Sequence, residues 1–211
     1  PIKDTGARVA SLLAGEVDIV NGVPTAQEPV VRNYPGVQAV TVPAPRIYYI
    51  SLDVRKPPFD DKLVRQAVNY AVDRQSIVDN LFAGFGRPVA GMHPEASWGF
   101  NSELEPYPYD PDKAKELLAE AGYPDGFTTE FDTFVGRLPA HDTIAQAVVE
   151  QLSEVGVNCE MNAFEFGVFS ERRVGGEHSP MFVYSIGDWA LEPVWMYGWL
   201  TQGTAGHYWS P

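Results

Sequence analysis

A single cysteine, Cys159, stands among 211 residues, so the chain can form no internal disulfide and no multi-cysteine metal knuckle. Histidine is almost as scarce. His93, His141, His178 and His207 are scattered without ligand spacing, and no metal site or cofactor is expected. The sequence has no Gly-rich phosphate loop, no GxSxG elbow and no HExxH helix, the patterns that nucleotide, ester and zinc-dependent peptide chemistry place on loops and helices. A catalytic set is therefore not expected. No apolar run approaches the length needed to cross a bilayer, and no charged segment followed by an apolar one opens the chain, so this segment is not expected to insert in a membrane. Basic runs are missing too. The net charge is −13, and it is unevenly spread: residues 1–48 carry four basic and four acidic residues, leaving 11 basic and 24 acidic to residues 49–211. Such a surface repels phosphate backbones and argues against a nucleic-acid partner.

With 45% hydrophobic residues the chain is long enough to bury a substantial core. Its pattern alternates between the two periods. Residues 5–15 carry a helical stripe of Ala7, Val9, Ala10, Leu12 and Leu13 ended by Gly15, the residue suited to a left-handed cap. Val17, Ile19 and Val20 then suggest a short strand, Pro24 and Thr25 a second helix with Thr25 as cap, and Val37–Val42 another strand. Residues 46–54 read as a strand that is apolar on both faces, bounded by Pro45 and by Pro57-Pro58, and fit a central or interdomain strand. Asp60 or Asp61 can cap a helix from Lys62 whose apolar face is Leu63, Val64, Ala67, Val68 and Ala71. Gln75–Phe82 continues helically to Gly84.

From Gly84 to Pro108 the chain is rich in Gly, Pro and aromatics with no sustained period, a long ordered loop of the kind that usually serves a function. Asp110-Pro111 then opens a helix carrying Ala114, Leu117, Leu118 and Ala121, stopped by Gly122. A strand over Phe127–Phe134, a helix over Asp142–Val155, a strand over Val157–Ala163, a helix over Phe166–Val174 and a strand over Met181–Ile186 follow. Cys159 falls on the apolar face of its strand, as a buried, inert thiol. The alternation predicts a mixed α/β fold, a sheet flanked by helices.

Aromatic residues gather near glycines late in the chain: Trp189, Trp195, Tyr197, Trp199, Tyr208 and Trp209 fall within 21 residues, after Gly187-Asp188. Trp and Tyr supply large contact areas at little cost in rotamer freedom and suit a pocket for varied ligands; an ordinary core cluster is the competing reading. Asp188, between an apolar strand and this segment, is costly if buried unpaired, so it reaches water, caps the next segment or meets a cation such as a ligand ammonium.

Three spaced segments carry a family resemblance: YYISLDVRKPPFDDKLVRQAVNYAVDR from Tyr48 to Arg74, YDPDKAKELLAEAGYPDGF from Tyr109 to Phe127, and IAQAVVEQLSEVGVNCEM from Ile144 to Met161. Together they resemble family 5 of the extracytoplasmic solute-binding proteins, the peptide- and nickel-type binding subunits of ABC transporters. Asp53 departs from the family pattern, which has asparagine there. The resemblance implies a type II periplasmic-binding-protein fold of two lobes closing on a ligand. It also implies that residues 1–46 are the tail of the first lobe and residues 47–211 an incomplete second lobe. Pro1-Ile2-Lys3-Asp4 and Tyr208-Trp209-Ser210-Pro211 read as cuts within a longer chain.

The implied function is capture of oligopeptides or dipeptides in the periplasm, or from a lipid anchor on the outer face of the cell membrane, and delivery to a membrane permease. A nickel chelate, glutathione, an opine or an oligosaccharide are alternatives within the family. A hydrolase using Asp60, Asp61 or Asp188, or an interaction module without transport, are alternatives outside it. In peptide-binding members an aspartate at the position of Asp188 pairs with the ligand ammonium, and in dipeptide binders an arginine matching Arg137 receives the carboxylate, a task that suits its planar fork. Asp188, Trp189, Arg137, Trp195 and Tyr48 form the candidate ligand-binding set; no catalytic residue is assigned.

Overall fold

In the computed structural model, which describes Ile2, residues 4–135 and residues 140–187, a four-stranded mixed sheet organises the chain. Its strands are β1 (Arg46–Leu52), β2 (Phe127–Val135), β3 (Val157–Glu165) and β4 (Met181–Gly187), in the order β1-β4-β2-β3. β2 lies parallel to both β3 and β4, while β1 runs antiparallel to β4 along its whole length. The helices are α1 (Thr5–Leu13), α2 (Glu28–Arg32), α3 (Lys62–Ala71), α4 (Arg74–Phe82), α5 (Pro111–Glu120), α6 (His141–Glu154) and α7 (Phe166–Gly175). From β2 the chain crosses over α6 to β3, then over α7 back past β2 to β4. Right-handed crossovers in opposite directions place their helices on opposite faces.

Strand residues alternate between those faces. Tyr48, Ile50 and Leu52 of β1, Phe131 of β2, Val157 of β3 and Met181 and Val183 of β4 meet the buried residues of α3, α5 and α6, among them Val64, Ala67, Leu118, Val148 and Leu152. On the other face Phe134, Phe182 and Tyr184 pack against Phe169 of α7, and Ile47 and Ile186 are covered by Val89 and Met92 from the long segment after α4. Coverage of both faces is why β1 and β4 carry apolar residues at successive positions.

Local chemistry sets the helix starts. Asp4, Asp61, Asp73 and Asp110 each accept a hydrogen bond from a backbone N–H in the first turn of the helix that follows, from Ala7, Leu63, Ser76 and Lys113 respectively, at 2.7 to 2.9 Å. Side-chain capping of this kind is worth about 1 kcal/mol per helix. Arg74 completes the junction after α3. Its guanidinium donates to the Asn69 carbonyl, to Asn69 Oδ1 at 2.7 Å and to the Tyr107 carbonyl, while Gln151 of α6 accepts from the Asp73 N–H at 2.9 Å. One Asp-Arg pair thus joins two helices, the returning loop and the helix packed on the sheet.

The amino-terminal segment departs from expectation. Neither Val17–Val20 nor Val37–Val42 forms a strand; Ile19 is 86% exposed, and Val40 and Val42 are each 71% exposed. A β-rich sequence needs a partner backbone before it becomes a strand, and the described residues supply none here. The second helix is also altered: Thr25–Gln27 is a single 3₁₀ turn preceded by Pro24, without a Thr25 cap, and α2 begins at Glu28. β1, read as a central or interdomain strand, forms an edge of the four described strands, its apolar residues buried by helices on one side and the long loop on the other. Cys159 is half-buried on the helix-covered face, where burial pushes its thiol up to about 11 and keeps it protonated.

Two helix-to-strand turns meet at the start of the β2–β3 pair. Gly126 and Gly156 both have left-handed backbones, with φ of 78° and 89°, and the Phe127 N–H donates to the Gly156 carbonyl. A Cβ on Gly126 would lie 2.0 Å from that carbonyl oxygen, whereas one on Gly122, at φ 92°, would meet nothing within 4 Å. Gly122→Ala should therefore cost only the left-handed penalty of about 1–2 kcal/mol. Gly126→Ala adds a backbone clash and should cost clearly more, as read from the denaturant midpoints of the two variants.

Candidate functional site

Because β2, β3 and β4 are parallel and β1 is antiparallel, Val135, Glu165 and Gly187 finish, and Arg46 begins, at the same end of the sheet. In sheets with parallel strands, the crevice beyond the carboxyl ends is where loops converge on ligands. Of the residues singled out from sequence, Arg137, Asp188, Trp189 and Trp195 lie outside the described residues. Tyr48 lies within them, one turn of the pleat in from this end and opposite Ser185. Its half-buried ring is 5.9 Å from Phe82 and 6.0 Å from His141. Burial raises the pKa of its hydroxyl, with the Arg46 charge opposing, so the phenol stays protonated at neutral pH.

The residue that sequence reasoning passed over is His141. It is the first residue of α6, 1% exposed, stacked on Phe134 at 3.7 Å between ring centroids. Its Nδ1 lies 3.4 Å from Thr133 Oγ1, and its Nε2 is buried with no hydrogen-bond partner. A signal for it was present: His141, Ile144, Ala145, Val148 and Leu152 follow the helical spacing of one buried stripe, so extending the periodicity one turn back puts the imidazole inside. Burial pushes its pKa down to about 4, with the Asp142 charge opposing, and the ring is neutral at physiological pH. A neutral imidazole with one nitrogen unspent can accept or donate a single hydrogen bond.

A second group of polar side chains sits at the opposite end of the sheet and holds structure together. Asp53 is buried after β1; Arg55 Nε and Nη2 donate to its two carboxylate oxygens at 2.8 and 2.7 Å, and its N–H donates to the Pro180 carbonyl. Burial alone would raise the Asp53 pKa, but the hydrogen bonds from Arg55 and the charges of Arg55 and His178 outweigh it and hold the carboxyl below its ordinary range. The fully buried Asp132 accepts from the Ser179 N–H at 2.9 Å and the Ser179 hydroxyl at 2.6 Å, fixing the turn that enters β4. Asp61, a candidate acid for hydrolysis, is committed to capping α3.

The position of His141 gives stability a pH dependence. Its folded pKa near 4 lies below the ordinary value of 6.5, so between these values the unfolded chain binds the proton more readily. Stability should fall as pH drops from about 6.5 to about 4 and gain no further loss from this group below that. The contribution is on the order of 2–3 kcal/mol. His141→Gln should flatten the wild-type curve of unfolding free energy against pH by this amount, measured by urea denaturation across the window.

Comparison with known proteins places the chain. The profile of bacterial extracellular solute-binding proteins, family 5 (middle part), matches residues 1–207. A glutathione-binding protein of Salmonella typhimurium is 34% identical over 204 residues, covering 92% of this chain and 40% of the relative. The solved structure of a protein named HbpA2 from Haemophilus parasuis superposes with a TM-score of 0.87 at 28% identity, over 99% of this chain and 42% of that one. A periplasmic binding protein of Helicobacter pylori, solved in complex with the peptide STSA, gives 0.73 at 29% identity, over 88% of this chain and 36% of that one. The chain thus spans about 40% of the length of the relatives it matches. With a profile match along almost its entire length and the corresponding fold, this chain belongs to the bacterial extracellular solute-binding proteins of family 5.

Proposed function

We propose that the chain is part of the ligand-binding subunit of an ABC importer, one that captures dipeptides or oligopeptides and delivers them to a membrane permease. In this reading residues 1–46 are the tail of one lobe and residues 47–211 most of the other. The protein works in the periplasm or from a lipid anchor on the outer face of the membrane. It is a binder and not an enzyme, as the glutathione-binding relative and the periplasmic binding protein of Helicobacter pylori named above are binding proteins.

The observation that carries the reading is the shared end of the sheet. β2 and β4 are parallel neighbours, about 4.8 Å apart; Arg137 follows the end of β2 by two residues and Asp188 follows β4 directly. An arginine and an aspartate leaving adjacent strand ends suit the carboxylate and ammonium of a zwitterion. The buried, unspent Nε2 of His141 and the protonated phenol of Tyr48, whose ring centroid lies 6.0 Å from the imidazole, would add neutral hydrogen-bonding groups that discriminate without adding charge. Trp189 and Trp195 would supply sequence-tolerant contact area. Closing two lobes over such a site removes water from both charges and strengthens every contact within.

Glutathione is the second reading, favoured by the glutathione-binding relative at 34% identity. It is itself a peptide with one ammonium and two carboxylates, so the same poles apply. Calorimetry with dipeptides, longer peptides and glutathione separates the two. In the zwitterion reading Asp188→Asn weakens peptide binding by about 1.5–3 kcal/mol, the range for hydrogen bonds to charged groups, while peptide incubated with the protein stays uncleaved. Unchanged affinity in that variant would remove the aspartate from the site and leave the ligand class open.

A further inference from the structure

The imidazole of His141 is neutral and has one proton to place on two nitrogens, and its surroundings decide where that proton sits. The ring is held in one plane by its stack on Phe134. Its Nδ1 lies 3.4 Å from Thr133 Oγ1, while its Nε2 is buried and meets no partner among the described residues. Thr133 is fully buried in β2, and among the described residues its hydroxyl makes this contact and no other. A neutral ring then has two arrangements. If Nδ1 carries the proton and donates to Thr133, the Thr133 hydroxyl proton and the Nε2 lone pair are both left buried and unsatisfied. If the Thr133 hydroxyl donates to Nδ1, the ring proton sits on Nε2 and that N–H is the single group left over. Each unsatisfied buried polar group costs free energy, so the second arrangement wins by one group. At 3.4 Å the contact is long, and this difference in unsatisfied groups sets the direction more than the strength of the bond.

We infer that Thr133 is a positioning residue that holds His141 as the Nε2-protonated tautomer, a neutral donor whose complement is an acceptor oxygen of the bound ligand, a peptide carbonyl or a carboxylate. Both residues stand at the carboxyl end of β2, which finishes at Val135, where crevices between parallel strands and their loops take ligands. Bulk water does not reach the Nε2 atom, so an arriving oxygen recovers the penalty of the unmade bond without displacing solvent from it. A ligand N–H brought to the same point would face another donor and be refused. The subsite therefore reads polarity and not charge. That suits a binder of peptides of varied sequence, since every peptide bond brings a carbonyl.

The ligand half of the inference rests on the importer reading, and the test keeps the two apart. Full-length protein carrying nitrogen-15 histidine is measured by NMR, where the ring nitrogen shifts report the tautomer directly, and ligand affinity is measured by calorimetry. Expected for wild type is a neutral His141 ring protonated on Nε2, with that resonance moving on saturation with trialanine or glutathione. Trialanine amide at saturation separates the two oxygens: the movement persists for a carbonyl and is lost for a carboxylate, and either supports the donor. Thr133→Val should give a mixture of the two tautomers and an affinity for trialanine lowered about threefold to tenfold, with both restored in Thr133→Ser. A wild-type ring protonated on Nδ1 overturns the assignment. A Thr133→Val ring still wholly protonated on Nε2, with wild-type affinity, removes the positioning role. An Nε2 resonance unmoved by a ligand that calorimetry shows to be bound removes the ligand contact, and in all three cases the importer reading stands. Wild-type protein that binds neither tripeptide nor glutathione overturns the importer reading, and the ligand contact with it.

Discussion

Parallel pairing in the middle of the sheet is the constraint from which the rest of this fold follows. A parallel neighbour cannot be reached by a tight turn, so each step between β2, β3 and β4 needs a helix, and each helix must lie on a face. Because the two crossovers run in opposite directions, α6 and α7 end on opposite sides, and both faces become interior. The same geometry gathers the carboxyl ends of three strands at one end. Covering and convergence are thus two results of a single pairing choice.

The division of labour between the ends of the sheet is chemical. At the turn entering β4, polar groups are spent on one another: Asp132 on Ser179, Asp53 on Arg55. At the other end His141 retains a buried nitrogen without a partner. An unsatisfied buried polar atom is expensive, and a protein tolerates one where something else completes it.

What could be read from sequence divides along the range of the interactions. The helix from Asp110-Pro111 and the cap at Asp61 were legible because side chain and backbone partner lie within three residues. The strand Val157–Glu165 was legible because Val157, Cys159, Met161 and Ala163 alternate with polar residues, and Met181–Gly187 because burial on both faces writes a continuous apolar run. Val17–Val20 and Val37–Val42 misled for the converse reason: local propensity was right for extended chain, but a strand is a relation between two backbones. The edge position of Arg46–Leu52 was equally non-local, its second apolar face explained by Val89 and Met92, forty residues on. Of the candidate ligand-binding set, Tyr48 lies among the described residues, on the strand where its sequence put it. His141 was missed because histidines were weighed as metal ligands, and not against the helical stripe on which this one sits.

The pairing of Asp53 with Arg55 carries a consequence for how firmly the chain leaves β1. The compensating cation stands only two residues away, and Lys56 Nζ adds a second at 3.8 Å. The carboxylate is buried while the guanidinium is half exposed, so loss of the carboxylate leaves cations that water can solvate, whereas loss of the cations leaves a buried charge. The dependence is one-sided: Asp53 relies on its neighbours in sequence more than they rely on it.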